Sequence, residues 1–323
     1  MSRALKARFL AASKLRQTRG PLFCGPFFIA TMKRISMFAA GMLLLALALA
    51  LSPAQAAPAT TVQVPTLALS SSPAPLAALV FRPESDGLHP AVVMLHGCGG
   101  AYGKNGKLNA RHLMWGEYLA EQGYVALMLD SFTSRGIQQL CTTRLADRSL
   151  KESHRLGDAY AALAYLRQLP GVDPNRVAVL GWSHGAGVVL ETINHPPVAS
   201  ASGSGFAAAI AFYPGCTARQ KRADRFHPYA PLLLLIGEAD DWTPAAPCQA
   251  LVARVAARGE PMHIVSYPDT YHDFDNPALT TKRLRTDVPN GVKPGSGVTT
   301  APNPVAREDA KLRVKAFLDE HVH

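Results

Sequence analysis

The sequence predicts an α/β protein whose mostly parallel sheet is covered by helices on both faces. Two observations carry this. The strand-like segments are continuous apolar runs rather than polar–apolar alternations, the pattern of strands buried on both faces. They also take turns with amphipathic helical stretches, the order that builds parallel sheets from strand–helix–strand units. A chain of 323 residues that is 48% hydrophobic can bury a core of that kind.

Taken in order, residues 76–82 and 91–95 are short apolar runs bounded by turn residues. Residues 109–122 carry Leu113, Trp115, Tyr118 and Leu119 at helical spacing, and Gly123 stops the helix. Strand 124–129 ends at Asp130, and an amphipathic helix over 151–169 stops at Pro170-Gly171. Strand 177–180 leads into a helix over 185–194, which Pro196-Pro197 ends. Residues 206–212, 232–236 and 263–267 are further buried strands, with helical patterns at 245–258 and 305–320. Residues 57–75 are rich in Ala, Pro, Ser and Thr and read as a loose lead-in with one edge strand near 62–69. Residues 275–303 are too long and irregular for an ordinary connection and are a candidate flap over a site. Residues 76–323 thus read as a single domain.

The formal charge of +10 does not point to nucleic acid. Residues 1–56 hold eight Lys and Arg and no acid; without them the chain carries 25 basic and 23 acidic residues. Lys33-Arg34, the apolar run 37–51 and Ala54-Gln55-Ala56 follow the order of a secretory signal peptide. That run is short against the roughly 20 residues a spanning helix needs, so cleavage before Ala57 is expected, with no membrane anchor left. The start codon is open between Met1 and Met32. A secreted or periplasmic location follows. Of five cysteines, Cys24 lies in the segment that would be lost. Cys98, Cys141, Cys216 and Cys248 remain, an even set that suggests two disulfides, with three pairings open.

The chemistry concentrates at Gly181-Trp182-Ser183-His184-Gly185, where a strand runs straight into a glycine-flanked turn and a helix. Such an elbow lifts a serine hydroxyl above the sheet edge, which makes Ser183 the candidate nucleophile. A serine needs an oriented base. Gly237-Glu238-Ala239-Asp240-Asp241 puts carboxylates just past one strand, and His272 follows the last strand. Motif spacing favours Asp240 over Asp241, which is left to cap the helix after Pro244. His195, His227, His321 and His323 are less well placed. Oxyanion donors are typically worth about 3 kcal/mol each. The backbone N–H groups of His184 and Cys98 are the candidates, the latter inside the glycine-rich His96-Gly97-Cys98-Gly99-Gly100 loop. The His96 ring reads as a structural hydrogen-bonder.

With these residues in place, the chain resembles the dienelactone hydrolase family of the α/β-hydrolase fold. The likeness spans about residues 75–320 and rests on 96–100, 181–185, 237–244 and Tyr267-Pro268 with His272-Asp273-Phe274. It implies an eight-stranded sheet and a Ser–Asp–His order. Two departures matter: family enzymes carry a cysteine nucleophile and an acidic residue that gates it, where this chain has Ser183 and Gly97. The resemblance therefore implies a serine-dependent ester hydrolase rather than a dienelactone hydrolase proper. It also implies the pairs Cys98–Cys141 and Cys216–Cys248, because each pair follows two strands that are neighbours in this fold.

Substrate clues are fewer. Trp182, Phe132, Trp242 and Phe274 lie beside motif residues and are candidates for an apolar pocket, and Arg135 is a candidate for an anionic group. Arg219, Lys221, Arg222 and Arg225 read as a solvated face. The expected substrate is a small-molecule ester. A peptidase or amidase on the same fold is the alternative, and a non-catalytic binding domain is a third. No cofactor or metal is expected: the glycines at 97–100 lack the Lys-Ser/Thr of a phosphate loop, and the cysteine spacing is unlike a zinc site.

Overall fold

The computed structural model describes residues 58–68, 70–197 and 205–322. Eight strands form one sheet in the order β1-β2-β4-β3-β5-β6-β7-β8. They are β1 (Thr60–Val64), β2 (Leu76–Phe81), β3 (His89–Leu95), β4 (Val125–Leu129), β5 (Val172–Trp182), β6 (Ala209–Phe212), β7 (Leu232–Gly237) and β8 (Met262–Tyr267). β1 and β2 are antiparallel to their neighbours, and every pairing from β4 to β8 is parallel. The helices are α1 (Ala110–Glu121), α2 (Leu156–Gln168), α3 (His184–Asn194), the one-turn α4 (Thr217–Gln220), α5 (Ala245–Ala256) and α6 (Pro304–His321).

Register sets the site. Leu95 pairs with both Leu129 and Gly181, Trp182 with Phe212, Phe212 with Leu235, and Gly237 with Tyr267. The carboxyl ends of six strands therefore reach one sheet edge together, where ligands of open parallel sheets bind. Strands β3, β4, β6 and β7, and β5 from Val177 to Trp182, are almost wholly buried, which explains their unbroken apolar sequences.

The lead-in is more ordered than expected. Its strand lies earlier, at Thr60–Val64, pairs with β2 along its whole length, and ends at Pro65, which has no N–H to extend the ladder. Residues 275–303 border the cleft through Asn276 and Arg285 and carry regular structure of their own. They contain the antiparallel strands β9 (Arg283–Arg285) and β10 (Val298–Thr300), and their Val288 and Val298 are buried. Asn303 caps α6 through Ala306 N–H and donates its side-chain amide to Thr270 Oγ1 at 2.7 Å.

Both disulfides are present, Cys98–Cys141 and Cys216–Cys248. Two apolar cores are separate. The larger lies on both faces of the sheet and includes Cys216 and Cys248. The smaller lies at the carboxyl edge and joins Cys98, Cys141, Phe132, Leu140, Leu150, Trp242, Val288 and Val298. Among the cationic cluster, Lys221, Arg222 and Arg225 are exposed. Arg219 turns inward instead, with Nη2 2.7 Å from Glu152 and 2.8 Å from Glu191. The signal-peptide and start-codon expectations fall on residues 1–56, outside the described residues. No helix among the described residues is long and apolar enough to cross a membrane.

Candidate active site

Ser183 sits at the tip of β5, immediately before α3, with φ 52° and ψ −114°. Left-handed φ is costly for a residue with a Cβ and persists only where surroundings enforce it. Here they do: Ser183 N–H donates to Phe212 O at 2.9 Å, and Ser183 O accepts from Gly187 N–H at 2.9 Å. The flanking glycines are required sterically. A Cβ on Gly185 would lie 2.1 Å from Leu95 O, and one on Gly181 would lie 2.5 Å from Gly185 O.

His272 follows β8, and its Nδ1 lies 2.7 Å from Asp240 Oδ2 after β7. A carboxylate only accepts, so Nδ1 carries the proton and Nε2 is left with a free lone pair. Asp240 is held in turn: Oδ1 accepts from the N–H groups of Trp242 at 2.9 Å and Thr243 at 2.8 Å, and Thr243 Oγ1 lies 3.0 Å from Oδ2. The His272 ring is buried between Tyr213 and Trp242, at centroid distances of 4.5 and 4.6 Å. Burial opposes its positive charge, but the Asp240 charge and hydrogen bond outweigh it, so its pKa is raised above 6.5. Ser183 and His272 line one cleft of about 160 Å³. No hydrogen bond joins Ser183 Oγ to His272 in this structure; catalytic hydrogen bonds commonly tighten only with substrate bound.

Asp241 has a different task from the capping expected of it. Its carboxylate accepts from Thr299 N–H and Oγ1, each at 2.7 Å, and so ties β10 beside the site. Pro244 stands at the α5 N-cap with no side-chain cap bond.

His184 is the first residue of α3, so its N–H has no partner within the helix. Cys98 lines the same cleft as Ser183, and Gly97 packs against Trp182 and Ser183 of the elbow. The rings nearby are structural. His96 Nδ1 donates to Gly97 O at 2.8 Å while Nε2 accepts from Ser131 N–H at 3.2 Å, and His184 Nδ1 accepts from Arg155 at 2.9 Å. Burial first, then the Arg155 charge, pushes both well below the ordinary histidine value, so both stay neutral.

Of the apolar candidates only Trp242 lines the cleft. Trp182 is fully buried against Phe212 and donates Nε1–H to Asp275 at 2.9 Å. Phe274 is buried against Phe212, Tyr213 and Tyr267, and Phe132 packs edge-on to His96 at 4.3 Å in the smaller core. Arg135 is spent on Asp158, with Nη1 and Nη2 at 2.9 and 2.8 Å from its two oxygens. None of these three aromatics, nor Arg135, borders the cleft.

A polar wall escaped the sequence reading. Asn109, Arg111, Asp273, Asn276 and Arg285 line the cleft. Arg111 pairs with Asp273 and donates to Tyr213 Oη at 2.8 Å; Tyr213 donates to Asp275 at 2.6 Å, and Asp275 also accepts from Trp115 at 2.8 Å. Burial works against the Asp273 charge, but Arg111 prevails and its pKa is lowered. The one available signal was Arg111 itself, four residues before Trp115 on the apolar face of its helix.

Comparison with known proteins agrees with the fold. The profile of the dienelactone hydrolase family matches residues 76–322. A Klebsiella pneumoniae protein described as a dienelactone hydrolase superposes with a TM-score of 0.60 at 16% identity, covering 82% of this chain and all of its own. Esterase 2 of Thermogutta terrifontis, solved phosphorylated by paraoxon, gives 0.57 at 17%, covering 81% of this chain and 94% of its own. The quorum-quenching protein AidA of Acinetobacter baumannii is 35% identical over 116 residues, 36% of this chain and 34% of AidA. The protein Rv2307c of Mycobacterium tuberculosis is 32% identical over 142 residues, 40% of this chain and 49% of its own. The chain thus spans a third to a half of the curated relatives it matches. On the family profile, the chain belongs to the dienelactone hydrolase family.

Proposed function

We propose that the protein is an exported serine hydrolase that cleaves small-molecule carboxylic esters through an acyl-enzyme. The observation that carries this is His272 Nδ1 at 2.7 Å from a firmly held Asp240, beside a strained Ser183 in the same cleft. Ser183 Oγ attacks the acyl carbon as its proton passes to His272 Nε2, and Asp240 stabilises the imidazolium. The N–H groups of His184 and Cys98 receive the oxyanion. Collapse breaks the ester bond, and the leaving alkoxide takes the proton from His272. Water, deprotonated by the same ring, then releases the acid.

A volume of about 160 Å³ lies below the roughly 300 Å³ at which ligand pockets usually begin, which supports a short acyl group. Two disulfides support a location outside the reducing cytosol. The test is turnover of nitrophenyl esters of short and medium acyl length by the wild type and by Ser183→Ala. Expected is a preference for the short acyl group and a loss of at least about 10⁴-fold in kcat in the variant. Activity that survives Ser183→Ala refutes the mechanism, and rapid amide without ester turnover moves the assignment to a peptidase.

A further inference from the structure

The Cys98–Cys141 bridge lies where the chemistry would be most sensitive to it, and the following rests on the reading of Ser183 and Cys98 just given. Cys98 sits between Gly97 and Gly99, a stretch whose backbone has little intrinsic stiffness. The Gly97–Cys98 peptide is nevertheless held from both ends. Gly97 O accepts from His96 Nδ1 at 2.8 Å and from Gly100 N–H at 3.3 Å. A trans peptide is planar, so fixing that oxygen aims the Cys98 N–H in the opposite direction. On the far side, Cys98 O accepts from Leu140 N–H at 2.7 Å, and the disulfide ties Cys98 to Cys141 one residue further on.

Besides the bridge, the partner loop holds Cys98 through the Leu140 N–H and the small core they share. Leu140, Cys141 and Cys98 belong to the small edge core, separate from the large core that carries the strands. Both halves of the bridge line the cleft beside Ser183. By contrast, Cys216 and Cys248 are both buried in the large core and neither lines that cleft.

We propose that the Cys98–Cys141 bridge positions the Cys98 N–H as an oxyanion donor, with Cys141 as a positioning residue, so that turnover depends on the oxidised state of the rim. A dithiol such as dithiothreitol supplies two electrons and two protons. The S–S bond breaks to two thiols while the dithiol closes to its cyclic disulfide. Reduction leaves the far side of Cys98 held by the Leu140 N–H without the covalent tie, so the Cys98 N–H shifts off the oxyanion while Gly97 O keeps its two partners, and reoxidation restores the alignment.

The test compares the wild type, Cys98→Ser/Cys141→Ser and Cys216→Ser/Cys248→Ser in ester turnover well below their melting temperatures. It adds affinity for a boronic acid that mimics the tetrahedral intermediate. Losing one oxyanion donor costs about 10²–10³-fold in kcat, so a displaced one should cost about 10- to 100-fold. That loss is expected in the rim variant, with a parallel loss of boronic acid affinity and KM within about twofold. The buried-bridge variant should keep kcat within about threefold. A purely structural bridge would lower melting temperature in both variants and leave kcat of the folded enzyme alone. The proposal is overturned by a rim variant with kcat within twofold of wild type, or by equal kcat losses in the two variants. If the rim variant does not fold, dithiothreitol treatment of folded wild type decides. Reversible loss supports the proposal, and full activity with alkylatable thiols at 98 and 141 overturns it. Ser183→Ala separates the two levels: an active Ser183→Ala defeats the site reading itself, whereas an inactive one beside a fully active rim variant defeats only the bridge.

Discussion

The two disulfides close loops of similar length, at sequence separations of 43 and 32, yet they serve different ground. On chain entropy alone each contributes roughly 4 kcal/mol, so their stabilising effects should be close. Cys216–Cys248 lies inside the large core, where packing already fixes both loops. Cys98–Cys141 lies in the small edge core, where a few side chains hold the rim of the cleft. The large core sets where strands end, and the edge core sets where their loops point. His272 stands at the junction: Tyr213 from the large core covers one side of its ring and Trp242 from the edge core lies against it too.

The sharpest way to break this division is at the adjacent acids. Asp240→Asn leaves His272 without its charged partner and free to adopt the wrong tautomer, and kcat should fall by about 10⁴-fold with the fold intact. Asp241→Asn should instead loosen β10, costing about 1–3 kcal/mol in urea unfolding and no more than about tenfold in kcat. A reversed order would assign the orienting role to Asp241.

Next in size is the support beneath the large-core side. Asp275 is wholly buried and accepts from Trp115, Trp182 and Tyr213 while facing Arg111. Asp275→Ala strands those donors and should cost about 3–5 kcal/mol in urea unfolding. A loss under 1 kcal/mol would show that the network is not holding the two regions together.

The smallest effect is in pH. A general base must be neutral, so kcat/KM should rise with pH through a pKa above 6.5, the direction in which Asp240 moves His272. Trp242→Ala would open the ring to water. Because burial lowers a histidine pKa, relieving it should move the acid limb upward, by less than about one pH unit. A downward shift would mean that Trp242 acts on Asp240 rather than on the ring.

Much of this was legible in the sequence because it is local. The β5–Ser183–α3 elbow, the Asp240 turn and the His272 loop each declare themselves within a few residues, and a mostly parallel sheet covered on both faces follows from apolar runs and helices in alternation. What was hidden is joined across the chain. Arg111 meets Tyr213 at a separation of 102 residues and Trp115 meets Asp275 at 160, and no periodicity records such pairs. Asp241 read as a helix cap because its true partner, Thr299, lies 58 residues on. The strands β9 and β10 have three residues each, too few to show a pattern. Trp182 and Phe274 stand next to Ser183 and Asp273, which line the cleft, but their own rings are buried away from it; Phe132 and Arg135 and their immediate neighbours do not line it.

The most direct test of Ser183 as the nucleophile is covalent. The protein, inhibited by paraoxon and digested, should carry a single phosphoryl adduct on the peptide containing Ser183, with loss of ester-hydrolysing activity in proportion to labelling. Adduct on another residue, or full inhibition with Ser183 unmodified, would contradict the assignment.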